Sequence, residues 1–177
     1  MANKPVLHYF NGKGRMESIR WLLATAGVEF EEQLFEIKDQ LEKLRSTVLL
    51  FQQVEIDGMK LVQSRAILHY DGDKYNLLGK VIKERATVII YSEKTMDMRE
   101  LVILYPFLKG EEQEKRLIEN TNKAKNRYFP VDEKVLKIHG QNFPVGNQMN
   151  MADVQSIEAI LMVEEIIPDA LSGFPLL

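Results

Sequence analysis

The feature that most restricts this chain is a change of pattern near Gly79-Lys80. Before it, short β-type runs alternate with helical ones; after it, only helical periodicity remains. Residues 6–10 read as a strand, 15–26 as a helix ended by Gly27, 29–35 as a second strand and 38–44 as a short helix. Val54-Glu55-Ile56-Asp57-Gly58-Met59-Lys60-Leu61-Val62 has the strand, Asp-Gly, strand form of a tight hairpin. A helix follows, with Ser64 as its expected N-cap. Beyond Lys83 one helical pattern covers 84–105 and stops at Pro106. Another covers 111–139, with a kink or break expected at Pro130. Asn150-Met151-Ala152-Asp153 has the form of a capping box, and Val154, Ile157, Ile160, Leu161 and Ile167 then recur on one helical face. Two domains are expected, 1–79 and 84–177.

The first strand carries the chemistry. Val6-Leu7-His8-Tyr9-Phe10 runs into Asn11-Gly12-Lys13-Gly14-Arg15-Met16-Glu17-Ser18, a strand, a glycine turn and a helix start. That sequence brings a phenol and a guanidinium to the carboxyl end of a strand, beside a helix N-terminus. Open α/β sheets bind ligands in such crevices, and the helix end favours negative charge there. Tyr9 and Arg15 are thus placed to stabilise a small anion, with a thiolate as one candidate.

Composition removes most other chemistries. The 177 residues contain no cysteine, which excludes disulfides, cysteine nucleophiles and thiolate-held metal. The three histidines, His8, His69 and His139, form no HExxH-like pair, so no metal site is expected. Asp71 and Asp73 around Gly72 are too slight a cluster to alter that. No G-x-S-x-G elbow or Walker lysine occurs, and Gly12-x-Gly14 alone is not a dinucleotide fingerprint. A net charge of −3 argues against a non-specific hold on nucleic acid. No apolar run reaches the length of a membrane span, and the opening residues lack a signal-like apolar stretch, so a soluble cytoplasmic protein is expected. Any reactive thiol must come with a substrate.

The order βαβα then ββα describes a thioredoxin-like half. Together with Phe51-Gln52-Gln53-Val54, the hairpin, Gln63-Ser64-Arg65 and Lys125-Asn126-Arg127-Tyr128-Phe129-Pro130, it closely resembles cytosolic glutathione transferases of the alpha class. The resemblance runs from Lys4 to the last residue. It implies a thioredoxin-like N-terminal domain and an all-α C-terminal domain, and a detoxification-type enzyme that conjugates the glutathione thiolate to hydrophobic electrophiles. It implies no bound cofactor, with glutathione as co-substrate, and a homodimer. Tyr9 matches the catalytic tyrosine that hydrogen-bonds the sulfur, and Arg15 the arginine that supports the same thiolate. Arg45, Gln53, Val54, Gln63 and Ser64 match positions that hold the tripeptide. Asp97 and Arg127 match residues that reach the site from a second subunit, and Phe51 matches the aromatic key of the dimer. The energetics are in range: a free thiol titrates near 8.5, and bringing it to roughly 6.5 takes about 2.7 kcal/mol. A phenolic hydrogen bond, an arginine and a helix N-terminus together supply that order of stabilisation.

Three departures accompany the resemblance. A segment of about three residues containing a cis-proline is missing after Gln53-Val54. The expected result is a shortened third strand, or a Val54 whose backbone is out of register for the peptide. Asp71-Gly72-Asp73 stands where the family carries apolar and small residues, which predicts a frayed or shortened helix. The chain ends at Phe174-Pro175-Leu176-Leu177, where relatives continue into helices that cover the electrophile. These departures keep two further readings in view: a non-catalytic ligand-binding or interaction protein of the same fold, and a degenerate member with little activity.

Overall fold

A computed structural model describes residues 4–35, 52–140 and 143–177. Arg45, Phe51 and the helix expected over 38–44 lie outside the described residues. The chain divides into two compact units, Met1–Leu77 and Leu78–Leu177.

The first unit is built on a four-stranded sheet of order β2-β1-β3-β4. β1 (Val6–Phe10) pairs in parallel with β2 (Glu31–Phe35) and antiparallel with β3 (Gln53–Ile56), which pairs antiparallel with β4 (Met59–Val62). The β3–β4 turn is Asp57-Gly58, with φ of 52° and 76°. Both central residues are left-handed, the turn whose twist matches a two-residue hairpin. A short 3-10 turn (Gly14–Met16) leads into α1 (Glu17–Thr25), and α2 (Ser64–Lys74) follows β4. α1 and α2 pack together. The buried hydrophobic residues include Leu7, Val54 and Ile56 from the strands, Met16 from the turn, and Ile19, Leu22, Leu23, Ile67 and Leu68 from the helices. Truncating any of these leucines or isoleucines to alanine removes about 2–5 kcal/mol of stability.

Two expectations for this half are corrected. The N-cap of α2 is Gln63, not Ser64, and it makes no side-chain cap bond. β4 runs into the helix with no intervening loop, so Ser64 already lies in the first turn. α2 also passes unbroken through Asp71-Gly72-Asp73 to Lys74. Asp71 and Gly72 face inward. Neither carboxylate oxygen of Asp71 has a hydrogen-bond partner among the described residues. Burial pushes the Asp71 carboxyl up to about 7, against the opposing pull of Lys74. The helix therefore tolerates this segment at the expense of an unsatisfied buried acid rather than by fraying.

The second unit is helical: α3 (Ile82–Ile103), α4 (Gly110–Lys123), α5 (Phe129–His139) and α6 (Met151–Ile166). The break expected at Pro130 is present. Ala124–Tyr128 forms a π-helical turn between α4 and α5, and the proline sits in the first turn of α5, where its missing N–H costs nothing. Asn150 and Asp153 form the capping box: the Asn150 side chain accepts from the Ala152 N–H at 3.0 Å, and the Asp153 carboxylate accepts from the Asn150 N–H at 2.8 Å. Burial raises the Asp153 carboxyl to about 6, with its backbone hydrogen bonds pulling the other way. The apolar core joins Met98 and Val102 of α3, Tyr128 and Phe129, and Ala159, Ile160 and Val163 of α6.

The expected face of α6 needs correction. Ile157 and Leu161 are 46% and 43% exposed, while Gln155 and Glu158 are buried. α3 meets them with polar side chains of its own. Ser92 donates to Gln155, Thr95 and Ser156 share a hydroxyl hydrogen bond at 3.2 Å, and Arg99 binds Glu158 at 3.0 Å. Both residue numbers rise together along the three pairs, so the helices run in the same general direction.

Candidate functional site

The described residues singled out in the first unit lie on β1, β3, the glycine turn and the start of α2. Tyr9 is the fourth residue of β1 and half-buried. Its hydroxyl oxygen accepts a hydrogen bond from the Arg15 backbone N–H at 3.0 Å. A hydroxyl that accepts from one side keeps its own proton to donate on the other. Gly14, between them, has φ of +43°, and a Cβ built there would stand 2.3 Å from the Tyr9 oxygen. A side chain at position 14 would push the phenol out of this position. Arg15 follows in the 3-10 turn, and its side chain is exposed. It meets Tyr9 through its backbone, a role invisible in the guanidinium-based reading.

At the β4–α2 junction, Gln63 is exposed and holds φ 70° and ψ 113°. That region is sparsely populated for a residue with a side chain and costs about 1–3 kcal/mol, a strain that clusters at functional sites. It turns the chain sharply enough for Ser64 to open a helix whose N–H groups favour an anion. Ser64 is 5% exposed, and its hydroxyl oxygen accepts from the buried Gln52 side-chain amide at 2.6 Å. Gln52 was missed by sequence reasoning. It reads as one more polar loop residue, and only the fold brings it against Ser64.

Gln53 begins β3, paired with His8 and Val62, and its amide donates to Glu55 at 3.3 Å. Val54, which matches a position that holds the tripeptide, is fully buried within β3, opposite Leu7 on one side and Leu61 on the other. Whichever way its N–H and C=O point, a neighbouring strand is there. β3 is thus a four-residue strand in which Val54 has a strand partner on each side. No cis peptide occurs among the described residues.

In the second unit Asp97 is an exposed residue of α3. Arg127 is exposed in the π-helical turn, its guanidinium 5.2 Å from the centre of the Tyr128 ring. π-turns inside helices are frequent at functional sites because they turn side chains out of the regular spiral. Among the described residues no group of His, Asp and Glu side chains could hold a metal ion, and no helix is long and apolar enough to cross a membrane.

Comparison with known proteins completes the description. Residues 5–70 match the family described as glutathione S-transferase, N-terminal domain, and residues 95–177 match glutathione S-transferase, C-terminal domain. A glutathione S-transferase of Antechinus stuartii is 71% identical over 180 residues, covering 100% of this chain and 81% of that protein. Glutathione S-transferase alpha-3 of Rattus norvegicus is 56% identical over 181 residues, covering 100% of this chain and 82% of the relative. Among solved structures, the glutathione S-transferase of Ascaris lumbricoides superposes with a TM-score of 0.86 at 30% identity, covering 98% of this chain and 87% of that one.

Proposed function

This chain belongs to the glutathione S-transferase family, and from that premise we propose that it conjugates the glutathione thiolate to hydrophobic electrophiles, with Tyr9 donating its hydroxyl proton to the sulfur. The observation that carries this reading is the Arg15 N–H on the Tyr9 oxygen, across a Gly14 whose missing Cβ leaves space for the phenol. The bond orients the phenol while its proton stays available to an anion. Glutathione is the co-substrate, and the protein brings no cofactor to the reaction. Holding an electrophile beside a preformed thiolate supplies the remainder by proximity.

Around Tyr9, the Arg15 guanidinium supports the same thiolate. The strained Gln63 and Ser64 at the start of α2, with Gln53, hold the tripeptide, the helix N-terminus facing a carboxylate. Arg45 completes the set from outside the described residues. Asp97 and Arg127 serve a second subunit's site in a homodimer whose aromatic key is Phe51. A cytoplasmic detoxification role fits a thiolate enzyme of this kind.

The test is calorimetric titration with glutathione, joined to conjugation assays on the parent and Tyr9→Phe. The parent binds glutathione and conjugates an activated aryl chloride. Tyr9→Phe keeps its fold and its glutathione affinity within a few-fold, but loses about 100- to 1,000-fold in kcat, the usual cost of one such donor. Equal rates in the two proteins would remove Tyr9 from the mechanism. Absence of glutathione binding in the parent would favour the non-catalytic reading.

A further inference from the structure

The loop that presents the Arg15 N–H to Tyr9 is itself held by a side chain that neither motif nor resemblance singled out. Arg20, one turn into α1, reaches back over the turn. Its Nη1 donates to the Gly12 carbonyl at 3.0 Å, the Lys13 carbonyl at 3.4 Å and Glu17 Oε2 at 2.9 Å. Its Nε donates to the Glu32 carboxylate on β2. Glu17 is fixed in turn by the Trp21 indole N–H at 3.1 Å, and the Glu17 N–H donates to the Lys13 carbonyl at 3.1 Å. The Arg20 side chain is only 16% exposed. One planar guanidinium thus ties the glycine loop, α1 and β2 together, with the loop's carbonyls as charge-assisted acceptors.

We propose that Arg20 is a positioning residue for the conjugation reaction: by gripping the Gly12 and Lys13 carbonyls it fixes the loop that holds the Arg15 N–H against the Tyr9 hydroxyl. This rests on the reading of Tyr9 as the partner of the thiol. Arg20 touches no reacting atom on this account. It acts through two loop carbonyls and one amide on the direction in which a phenol points. The tolerance there is small, because Gly14 already lies against the phenol with no space for a Cβ. A shift of the loop by about 1 Å either presses on Tyr9 or releases it, and misplacement of that order costs up to about 100-fold in rate. Lysine in place of arginine is a point donor on a flexible stem and cannot span carbonyls and carboxylates at once.

Two measurements on Arg20→Ala, Arg20→Lys and the parent test this. The first needs no glutathione: amide hydrogen exchange at Arg15, whose N–H is protected by Tyr9, followed by NMR. Exchange at Arg15 is expected to quicken about tenfold in Arg20→Ala and less in Arg20→Lys, with amides in β3 and β4 unchanged. The second is the pH midpoint of thiolate absorbance for bound glutathione, with kcat and KM. The midpoint moves up toward that of free glutathione in Arg20→Ala, kcat falls about tenfold or more, and Arg20→Lys recovers part of both. A role confined to stability would lower the melting temperature and the active fraction while leaving the Arg15 exchange and the midpoint alone; that result overturns the proposal. If Arg15 exchange quickens but the parent holds no thiolate, the catalytic reading of Tyr9 fails and the loop-positioning role stands. Should Arg20→Ala not fold, Glu32→Gln removes one anchor of the guanidinium and is expected to shift the same readouts by about threefold; no shift would again overturn it.

Discussion

Asp71 departs from local consistency, a buried acid inside a helix without a hydrogen-bond partner among the described residues. Its carboxyl is raised from an ordinary 3.8 to about 7. Between those values the folded protein keeps a proton that the unfolded chain releases. The stability that Asp71 contributes is then fully present below about pH 4, falls as pH rises through this window, and is gone above about 7. A shift of about three units sets a ceiling on the order of 4 kcal/mol. Asp71→Asn should therefore melt at a higher temperature than the parent at pH 8, with the advantage shrinking toward pH 4. Asp153, raised to about 6, leaves a milder slope of the same sign in the variant. Melting curves across a pH series decide this; identical slopes would show that Asp71 is solvated. Site legibility at this scale was uneven. Tyr9 and Arg15 could be picked out because a phenol and a guanidinium after a glycine turn are distinctive. The backbone role of Arg15, the strain at Gln63 and the Gln52 bond to Ser64 could not, because each depends on φ, ψ or contact between loops distant in sequence.

Among the elements, the strands and the hairpin formed where the β-type runs and the Asp-Gly turn stood, and α4, the π-turn and α5 followed Pro130. Two elements, α2 and α6, were misread. α2 was expected to fray at Asp71-Gly72-Asp73, yet it runs unbroken to Lys74. α6 was assigned its face from apolar spacing, whereas its buried side is partly polar and is recognisable only beside Ser92, Thr95 and Arg99 of α3. That seam gives a sharp test. Arg99 and Glu158 are each about 2% exposed. Glu158→Leu alone takes the carboxylate away from a buried guanidinium and should cost about 3–5 kcal/mol, whereas the double change Arg99→Met, Glu158→Leu should return most of that loss. Urea unfolding of the two single variants and the double variant measures the coupling. Additive losses would mean that the pair is solvated in the native state.

For the whole chain, a switch from mixed to purely helical pattern was enough to foresee two units of different architecture, since each needs its own core. Association was not legible from pattern, because an aromatic key and a surface phenylalanine look alike in sequence. The proposed homodimer is expected to sediment as a dimer at micromolar concentration, less tightly than is usual for the family, and Phe51→Ala is expected to yield monomer, as aromatic anchors commonly dominate interface energy. A monomeric parent would remove Asp97 and Arg127 from the site as well. The α3–α6 seam has a consequence on a longer clock. A lineage that loses Arg99 first, or Glu158 first, passes through an ancestor lacking 3–5 kcal/mol, a large share of the 5–15 kcal/mol that holds a typical protein folded. Descendants should thus inherit the two residues together or lose them together, and the pair becomes a heritable mark of descent rather than two independently drifting positions.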